Sequence, residues 1–287
     1  MKFVVISPVK DEERCVEETL RSMACQLVKP VKWIIVDDGS IDRTSEIIEQ
    51  YRADNDFIEV LRNPPGSVRR PGSAVIRAFD RGYQAANGLE YDLIVKLDCD
   101  LSFDPDYFAK LIAKFIADSN LGIASGVYAE RVDGSEWSEI IMPEYHAAGA
   151  SKIIRRQCFM EIGGFIASPG WDTVDEIRAI ARGWRSTHFP EAKMKHWKVE
   201  GSGIGSLRTN AMHGEVYYRT GGGLLFFFLK VLNRMTQPPR LTGGLAMLWG
   251  YLRTMTQRKP LLVTPAEARV YRALLNGRIL SKVRSRF

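Results

Sequence analysis

Acidic side chains directly follow two apolar segments of the sequence. Asp98 and Asp100 stand one residue apart after the run at 93–97, and the pair Asp37-Asp38 follows the run at 33–36. Carboxylates in this arrangement can share a hard cation such as Mg²⁺ or Mn²⁺, which prefers oxygen ligands and usually keeps substrate phosphates in its shell. On its own, a D-x-D pattern indicates little, because two acids in a loop are commonly solvated turn residues.

The turn that starts at Asp37 is more specific. Its sequence, VDDGSIDRT at 36–44, places Gly39 in the turn and Ser40 or Asp42 where either can cap the following helix. A capped turn explains those residues but does not require two acids at the end of a strand. The acid pair therefore indicates a binding role.

Strand-like and helix-like segments alternate through the first half of the chain. Apolar, β-branched runs predict strands, and segments of helical spacing predict the helices between them. We expect strands at 2–7, 33–36, 57–61, 93–97 and 123–128, and helices at 12–24, 42–51, 72–86 and 107–117. This order predicts an α/β fold with a doubly wound, mainly parallel sheet. Ligands of such sheets bind beyond the carboxyl ends of the strands, which is where the acids lie.

Three segments together resemble the family 2 inverting glycosyltransferases of the nucleotide-diphospho-sugar transferase superfamily. SPVKDEE at 7–13 resembles that family's strand-Pro-x-x-Asn-Glu start, with Asp11 in place of the usual Asn. VDDGSIDRT resembles its nucleotide-binding turn, and KLDCD at 96–100 matches its D-x-D. The resemblance covers residues 2–190, with the three motifs in the family's order, and it implies the Rossmann-like GT-A fold.

The resemblance also implies a donor site for a nucleotide-diphosphate sugar. Pro8, Asp11 and Glu12 would line the nucleotide site. Asp37 or Asp38 would accept a hydrogen bond from the base. Because a carboxylate can take the ring N–H of either uracil or guanine, the base stays open.

The remaining donor contacts concern the sugar and the diphosphate. By the same resemblance, Asp98 would hold ribose or sugar hydroxyls, and Asp100 would bind Mn²⁺ or Mg²⁺ on the diphosphate. His196 follows an expected strand, where related folds sometimes supply a further metal ligand; a surface or core histidine is the alternative. Three arginines lie in or beside the segment that leads to the third helix: Arg69, Arg70 and Arg77. One of them could bind the phosphates, or all three could be ordinary surface residues.

The resemblance places the catalytic base near a Gly-Trp-Arg segment at 183–185. The family carries an acid pair about 12 residues before such a segment. Here Trp171 replaces the first acid and Asp172 remains, so Asp172 is the expected general base that activates the acceptor hydroxyl. Asp175 and Glu176 are the alternatives, and Asp172 can also be a helix-terminal acid favoured by the dipole.

The C-terminal part of the chain differs in charge and pattern. Residues 230–287 hold twelve Lys or Arg and one acid, a net charge of +11, whereas residues 1–229 carry −5. Two apolar blocks at 224–232 and 241–252 are shorter than the roughly 20 residues that span a bilayer. We predict a GT-A domain over 1–220 and a basic, amphipathic helical region over 221–287 that contacts a membrane surface. Ordinary core packing and a homodimer interface are the alternatives.

Cysteine usage and the N-terminus indicate the compartment. The four cysteines show no CxxC spacing, which fits free thiols in a reducing cytosol. The N-terminal apolar run is about five residues long and lacks a secretory cleavage site. We therefore expect a cytoplasmic protein, peripheral at the cytoplasmic face of the membrane.

The function predicted from the sequence is metal-dependent, inverting transfer of a sugar to a membrane-proximal glycan or lipid-linked acceptor. A catalytically inactive glycosyltransferase-like module is one alternative. A nucleic-acid-binding protein is another, suggested by the pI of about 9.1, but no nucleic-acid motif accompanies the basic residues, so we expect no nucleic-acid partner. A nucleotidyltransferase is expected to have a Gly-rich loop after the first strand, and residues 7–13 contain no glycine.

Overall fold

The computed structural model describes residues 1–64, 73–131, 136–198 and 205–284. The chain divides into two compact units, one of Met1–Ser168 with Arg182–Val199 and one of Pro169–Ala181 with Glu200–Phe287. Compact units of a fold need not coincide with functional domains, so the predicted division at residue 220 stays a prediction.

The first unit contains the sheet. Its strands are β1 (Phe3–Val9), β2 (Lys32–Asp37), β3 (Ile58–Arg62), β4 (Leu93–Leu97), β5 (Leu101–Phe103), β6 (Leu121–Glu130), β7 (Ser138–Glu139), β8 (Ser151–Arg155) and β9 (Arg185–His196). Its helices are α1 (Val16–Ala24), α2 (Thr44–Asp54), α3 (Ser73–Ala85), α4 (Tyr107–Ala117) and α5 (Arg156–Glu161). The strand order is β3-β2-β1-β4-β8-β6-β9-β5, with β7 paired to β6.

Strands β3, β2, β1 and β4 are parallel, and β8 joins β4 in the antiparallel direction. The apolar runs expected as strands are buried because helices cover both faces of the sheet. On one face Val5 and Ile35 belong to a core that includes Phe108 of α4. On the other face α3 lies so close that a Cβ at Gly82 would stand 2.5 Å from Ile6 Cγ2. The predicted doubly wound α/β fold is therefore confirmed.

Helix α1 begins later than predicted. We expected it from residue 12, and it begins at Val16. The backbone of Asp11 has φ of 52°, and the amides of Cys15 and Val16 both donate to the carbonyl of Glu12 at 2.9 Å. A turn therefore separates β1 from α1, and it presents residues 11 and 12 at the end of the strand.

The second unit is helical in the part that the structure describes. Its helices are α6 (Trp171–Ala181), α7 (Ser206–Arg219), α8 (Leu224–Met235), α9 (Thr242–Thr256) and α10 (Pro265–Arg284). The two apolar blocks expected at 224–232 and 241–252 form α8 and α9. No helix among the described residues has the length and hydropathy needed to span a membrane.

Candidate functional site

The carboxyl ends of three parallel strands lie side by side in the first unit. Val9 of β1 is in register with Asp37 of β2, and Ile6 is in register with Lys96 of β4. The amide of Asp38 donates to the carbonyl of Val9 at 2.9 Å, which extends the pairing beyond the strands. Because parallel strands end at one edge of the sheet, the three sequence motifs share that edge. Pro8, partly exposed near the end of β1, lies beside Val36.

Asp11 joins the first turn to the second. Its amide donates to Ser40 Oγ at 3.0 Å, and its Oδ1 accepts a hydrogen bond from the amide of Ile41 at 2.9 Å. The left-handed backbone at this position suits Asn and Asp better than most residues, which explains why Asp can replace the family's Asn. Asp11 thus fixes the shape of the two turns at this edge of the sheet through its backbone and side chain together.

Glu12 is held from both ends. Its amide donates to Thr44 Oγ1 at 2.7 Å, at the start of α2. Its carboxylate, which is largely buried, forms an ion pair with Lys198 just beyond β9. Glu12 therefore connects the β1 turn to the strand end that carries His196.

Asp37 and Asp38 have different surroundings. Asp37 is buried, and its two carboxylate oxygens accept hydrogen bonds from the amide of Ser40, at 2.8 Å, and from Ser45 Oγ. Asp38 is partly exposed, and its Oδ1 accepts from Asn63 Nδ2 at 2.8 Å. Asp37 therefore shapes the turn, and Asp38 is the more exposed of the two acids.

Two contributors at this edge were missed in the sequence. Asn63 follows β3, and its amide donates to the carbonyl of Asp37 at 2.8 Å. Arg81 of α3 donates to Asn63 Oδ1 and to the carbonyl of Arg62. The position of Asn63 shortly after a predicted strand was a usable signal. It was passed over because an uncharged amide in a loop indicates a binding role less clearly than a carboxylate does. Arg77, the arginine that we selected, is exposed on α3, and Arg69 and Arg70 lie outside the described residues.

Lys96 is buried beside the D-x-D segment and was assigned no role from the sequence. Its Nζ lies 2.5 Å from Asp98 Oδ1 and donates to the carbonyl of Gly149 at 2.9 Å. Burial raises the pKa of Asp98 and the charge on Asp100 adds to that effect, whereas the ammonium of Lys96 acts in the opposite direction. Lys96 therefore holds Asp98 in a fixed orientation at the end of β4.

Asp100 and His196 meet at the junction of β5 and β9. His196 is in register with Leu101, which places its Nε2 at 3.4 Å from Asp100 Oδ2. Its Nδ1 lies 3.2 Å from Glu130 Oε1, at the end of β6. Burial acts to lower the pKa of His196, but the two carboxylates outweigh it and raise the pKa to about 10. Burial acts to raise the pKa of Asp100, and the contact and charge of His196 reverse the direction and lower it.

The donor atoms of this cluster suit a divalent cation. Among the described residues, Asp100 Oδ1 is buried and has no hydrogen-bond partner. Carboxylate oxygen and imidazole nitrogen are both ligands that Mn²⁺ accepts, and a carboxylate on the far ring nitrogen is the usual partner of a metal-binding histidine. No group of three or more His, Cys, Asp or Glu side chains in the described ranges is arranged to hold a metal ion by itself. A cation held here would need further ligands from water and substrate, as Mg²⁺ commonly has.

The expected base belongs to the second unit. Asp172 lies in the first turn of α6 and is partly exposed. The two alternatives, Asp175 and Glu176, are buried on the same helix, and Asp175 Oδ1 accepts from the amide of Glu176 at 2.6 Å. Burial, followed by the charge of Lys230, lowers the pKa of the half-buried His213 of α7 to about 4, and the charge of Asp172 opposes that shift. Of the three acids, the most accessible is Asp172.

The fold and the acidic strand ends define an α/β protein of the GT-A class. The mannosyltransferase PcManGT from Pyrobaculum calidifontis, solved with GDP-Man and Mn²⁺, has a TM-score of 0.57 at 14% identity, covering 98% of this chain and 87% of that one. TarS 1–349 from S. aureus, solved with UDP-GlcNAc, has a TM-score of 0.55 at 18% identity, covering 94% and 78%. At these identities the likeness concerns the fold.

The chain belongs to glycosyl transferase family 2, because the sequence model of that family matches residues 4–169. Poly-beta-1,6-N-acetyl-D-glucosamine synthase of Staphylococcus aureus (strain COL) is 31% identical over 117 residues, covering 40% of this chain and 26% of the synthase. Undecaprenyl-phosphate 4-deoxy-4-formamido-L-arabinose transferase of Salmonella choleraesuis (strain SC-B67) is 33% identical over 137 residues, covering 46% and 38%. This chain thus matches less than half the length of either relative.

Proposed function

We propose that this protein is a metal-dependent, inverting glycosyltransferase that uses a nucleotide-diphosphate sugar. The observation that carries the proposal is the set of acids at one edge of the sheet, where Asp98 and Asp100 follow β4 and Asp38 follows β2, with β1 between the two strands. Family membership supports the reaction class. The donor complexes of PcManGT and TarS support a nucleotide sugar as the donor.

Asp100 and His196 would hold Mn²⁺ or Mg²⁺, with Glu130 orienting the imidazole. When bound, the cation offsets the charge that grows on the departing diphosphate. Asp38 and Asn63 would contact the base, and Asp98, oriented by Lys96, would contact ribose or sugar hydroxyls. Glu12 and Asp11 keep the strand-end turns in shape around this site.

Asp172 would act as the general base on the acceptor. Its carboxylate takes the proton of the acceptor hydroxyl while the hydroxyl oxygen forms a bond to the anomeric carbon. The bond from that carbon to the diphosphate oxygen breaks, and its electron pair leaves with the nucleoside diphosphate. Attack opposite the leaving group inverts the configuration at the anomeric carbon.

The acceptor we propose is a membrane-proximal glycan or lipid-linked saccharide, as in cell-envelope polysaccharide synthesis. The names of the two relatives, a polysaccharide synthase and an undecaprenyl-phosphate transferase, support this class. Helix α8 supports contact with a membrane surface, because it exposes an apolar stripe of large side chains: Leu224, Leu225, Phe228, Leu229 and Leu232. Basic residues with an aromatic and aliphatic face are typical of helices that lie in the interface. We place the protein at the cytoplasmic face as a peripheral protein.

A donor screen tests the reaction class. UDP- and GDP-sugars are titrated into the protein by calorimetry with and without Mn²⁺, and a true donor is expected to bind only with the metal. Asp100→Ala should lose that binding, whereas Asp172→Asn should bind donor and fail to transfer. Absence of metal-dependent binding of any nucleotide sugar or diphosphate contradicts the proposal. Full turnover by Asp172→Asn removes Asp172 as the base.

Vesicle flotation tests the membrane contact. The full chain should float with vesicles that contain anionic lipid, and Phe228→Ser with Leu232→Ser should remain in the soluble fraction. The matched control is Ile116→Ser, since Ile116 is an equally exposed apolar residue on α4 of the first unit. Equal flotation of the stripe variant contradicts the membrane role, and a concentration-dependent dimer that the stripe variant abolishes indicates a homodimer interface instead.

A further inference from the structure

Helices α7 and α9 of the second unit cross in backbone contact. A Cβ at Gly214 would stand 1.9 Å from the carbonyl oxygen of Met247, and one at Gly250 would stand 2.0 Å from that of Ala211. Only glycine permits such an approach, so the two helices have one well-defined placement. A groove beside this crossing is therefore preformed.

The groove has a volume of about 480 Å³. It is lined by Leu207, Arg208, Ala211, Leu245, Ala246 and Trp249. Volumes of roughly 300–1,000 Å³ with mainly apolar walls and few polar groups are typical of small-ligand sites. Leu207, Leu245 and Trp249 are 52%, 54% and 56% exposed, which leaves an apolar wall open to solvent.

Positive charge accompanies the apolar wall. Arg208 is itself a lining residue, and the guanidinium carbon of Arg253 lies 5.0 Å from the centre of the Trp249 ring. Guanidinium groups bind phosphate oxygens through paired hydrogen bonds. The wall of the groove is therefore almost entirely hydrocarbon, and two exposed arginines, Arg208 and Arg253, stand next to it.

We propose that this α7–α9 groove binds the hydrocarbon chain of a single-chain lipid phosphate, with Arg208 and Arg253 at the phosphate. The lining spans residues 207–211 of α7 and 245–249 of α9, little more than one turn of each helix. A partner helix anchors through residues at i, i+3, i+4 and i+7, which needs a longer groove. A single groove of this volume favours one chain, such as that of a polyprenyl phosphate, over the two chains of a phospholipid.

That this lipid phosphate is the sugar acceptor rests on the proposed function, but its binding requires neither donor nor metal. The two proposals therefore fail separately. Loss of nucleotide-sugar binding leaves the groove intact, and a blocked groove leaves binding of nucleotide diphosphate and Mn²⁺ intact.

The probe is geranylgeranyl phosphate, added to the full chain without donor, metal or vesicles. Binding is measured by tryptophan fluorescence, with Trp249→Phe identifying the signal of Trp249, and by thermal shift. Ala246→Phe, which fills the groove, is expected to weaken binding at least tenfold. Arg208→Gln should weaken the binding of geranylgeranyl phosphate but not that of geranylgeraniol, which lacks the phosphate. Arg240→Gln, at another exposed arginine, is the matched control.

Four results would overturn the proposal. The first is unchanged binding of geranylgeranyl phosphate by both Ala246→Phe and Arg208→Gln, and the second is an equal response to inorganic phosphate alone. The third is an affinity for dioleoyl phosphatidic acid equal to that for geranylgeranyl phosphate, and the fourth is a signal that follows dimerisation of the protein. Should Ala246→Phe fail to fold, Leu245→Ser together with Arg208→Gln gives the same test, because both side chains lie on the exposed wall.

Discussion

The Nε2 atom of His196 lies 3.4 Å from Oδ2 of Asp100, at the junction of two antiparallel strands. The same ring contacts Glu130 through Nδ1. The strand register brings these residues together and leaves Asp100 Oδ1 buried without a hydrogen-bond partner in the described part of the chain. This relationship gives the first prediction.

Glu130→Gln is expected to weaken Mn²⁺-dependent binding of nucleoside diphosphate by about 10–100-fold, because the partner on the far nitrogen of a ligating imidazole orients it and raises its basicity. His196→Ala should weaken the same Mn²⁺-dependent binding at least as strongly. Calorimetry with and without Mn²⁺ measures both. Glu139→Gln is the matched control, since Glu139 is exposed on the neighbouring β7. Equal binding by Glu130→Gln and the unaltered protein would show that Glu130 does not act through His196.

Alanine substitution should affect mainly stability at Asp37 and mainly nucleotide binding at Asp38. Asp37→Ala removes the acceptor of two hydrogen bonds in a buried turn and should lower the free energy of unfolding by about 1–3 kcal/mol. Asp38→Ala should leave the denaturation midpoint nearly unchanged and lose nucleotide affinity. Urea denaturation and nucleotide titration of both variants make the comparison. A stable Asp37→Ala protein that has lost nucleotide affinity would reverse the assignment.

Lys96→Met should destabilise the fold. It leaves the partly exposed Asp98 carboxylate without the ammonium 2.5 Å away, and a hydrogen bond to a charged group contributes about 1.5–3 kcal/mol. The double variant Lys96→Met with Asp98→Asn should recover part of that loss, because the amide carries no charge. Chemical denaturation measures the recovery. Lys2→Met, at an exposed lysine paired with Glu90, is the control and should change stability little.

The second unit should become less stable as the pH falls from about 6.5 towards 4. Burial, followed by the charge of Lys230, lowers the pKa of His213 to about 4, while Asp172 opposes the shift and Arg234 adds to it. In that window the unfolded chain binds a proton that the folded His213 does not, so stability rises with pH. His213→Gln should flatten this part of the profile.

Thermal denaturation at pH 4.5 and 7.5 tests the prediction by the difference between His213→Gln and the unaltered protein. His196 contributes in another window, because its raised pKa gives stability that is present below about 6.5 and is lost as the pH rises through about 10. An identical pH dependence in both proteins would show that His213 titrates normally.

The sequence by itself determined the family, the acids at the strand ends and the order of strands and helices in the first half of the chain, apart from the short strand β5. These features are local: the run before Asp98 makes a buried strand, and the turn chemistry after Val36 ends one. The same local signals marked α8 and α9 as apolar helices. The predicted helical region over 221–287 includes α10, but the pair that marks its start was overlooked: Thr264 and Glu267 form reciprocal hydrogen bonds that cap this helix.

The tertiary structure decided which of the candidate side chains work together. Asp37 and Asp38 are adjacent in sequence, and only their burial and their hydrogen bonds from Ser40 and Asn63 distinguish a buried, turn-forming acid from a partly exposed one. Glu130 gains its contact with His196 from strand register, because the pairing of β6 with β9 places the two residues opposite each other although they lie far apart along the chain. No local sequence pattern predicts such partners, because they lie on strands that other segments separate along the chain. Their side chains meet only when the sheet has formed.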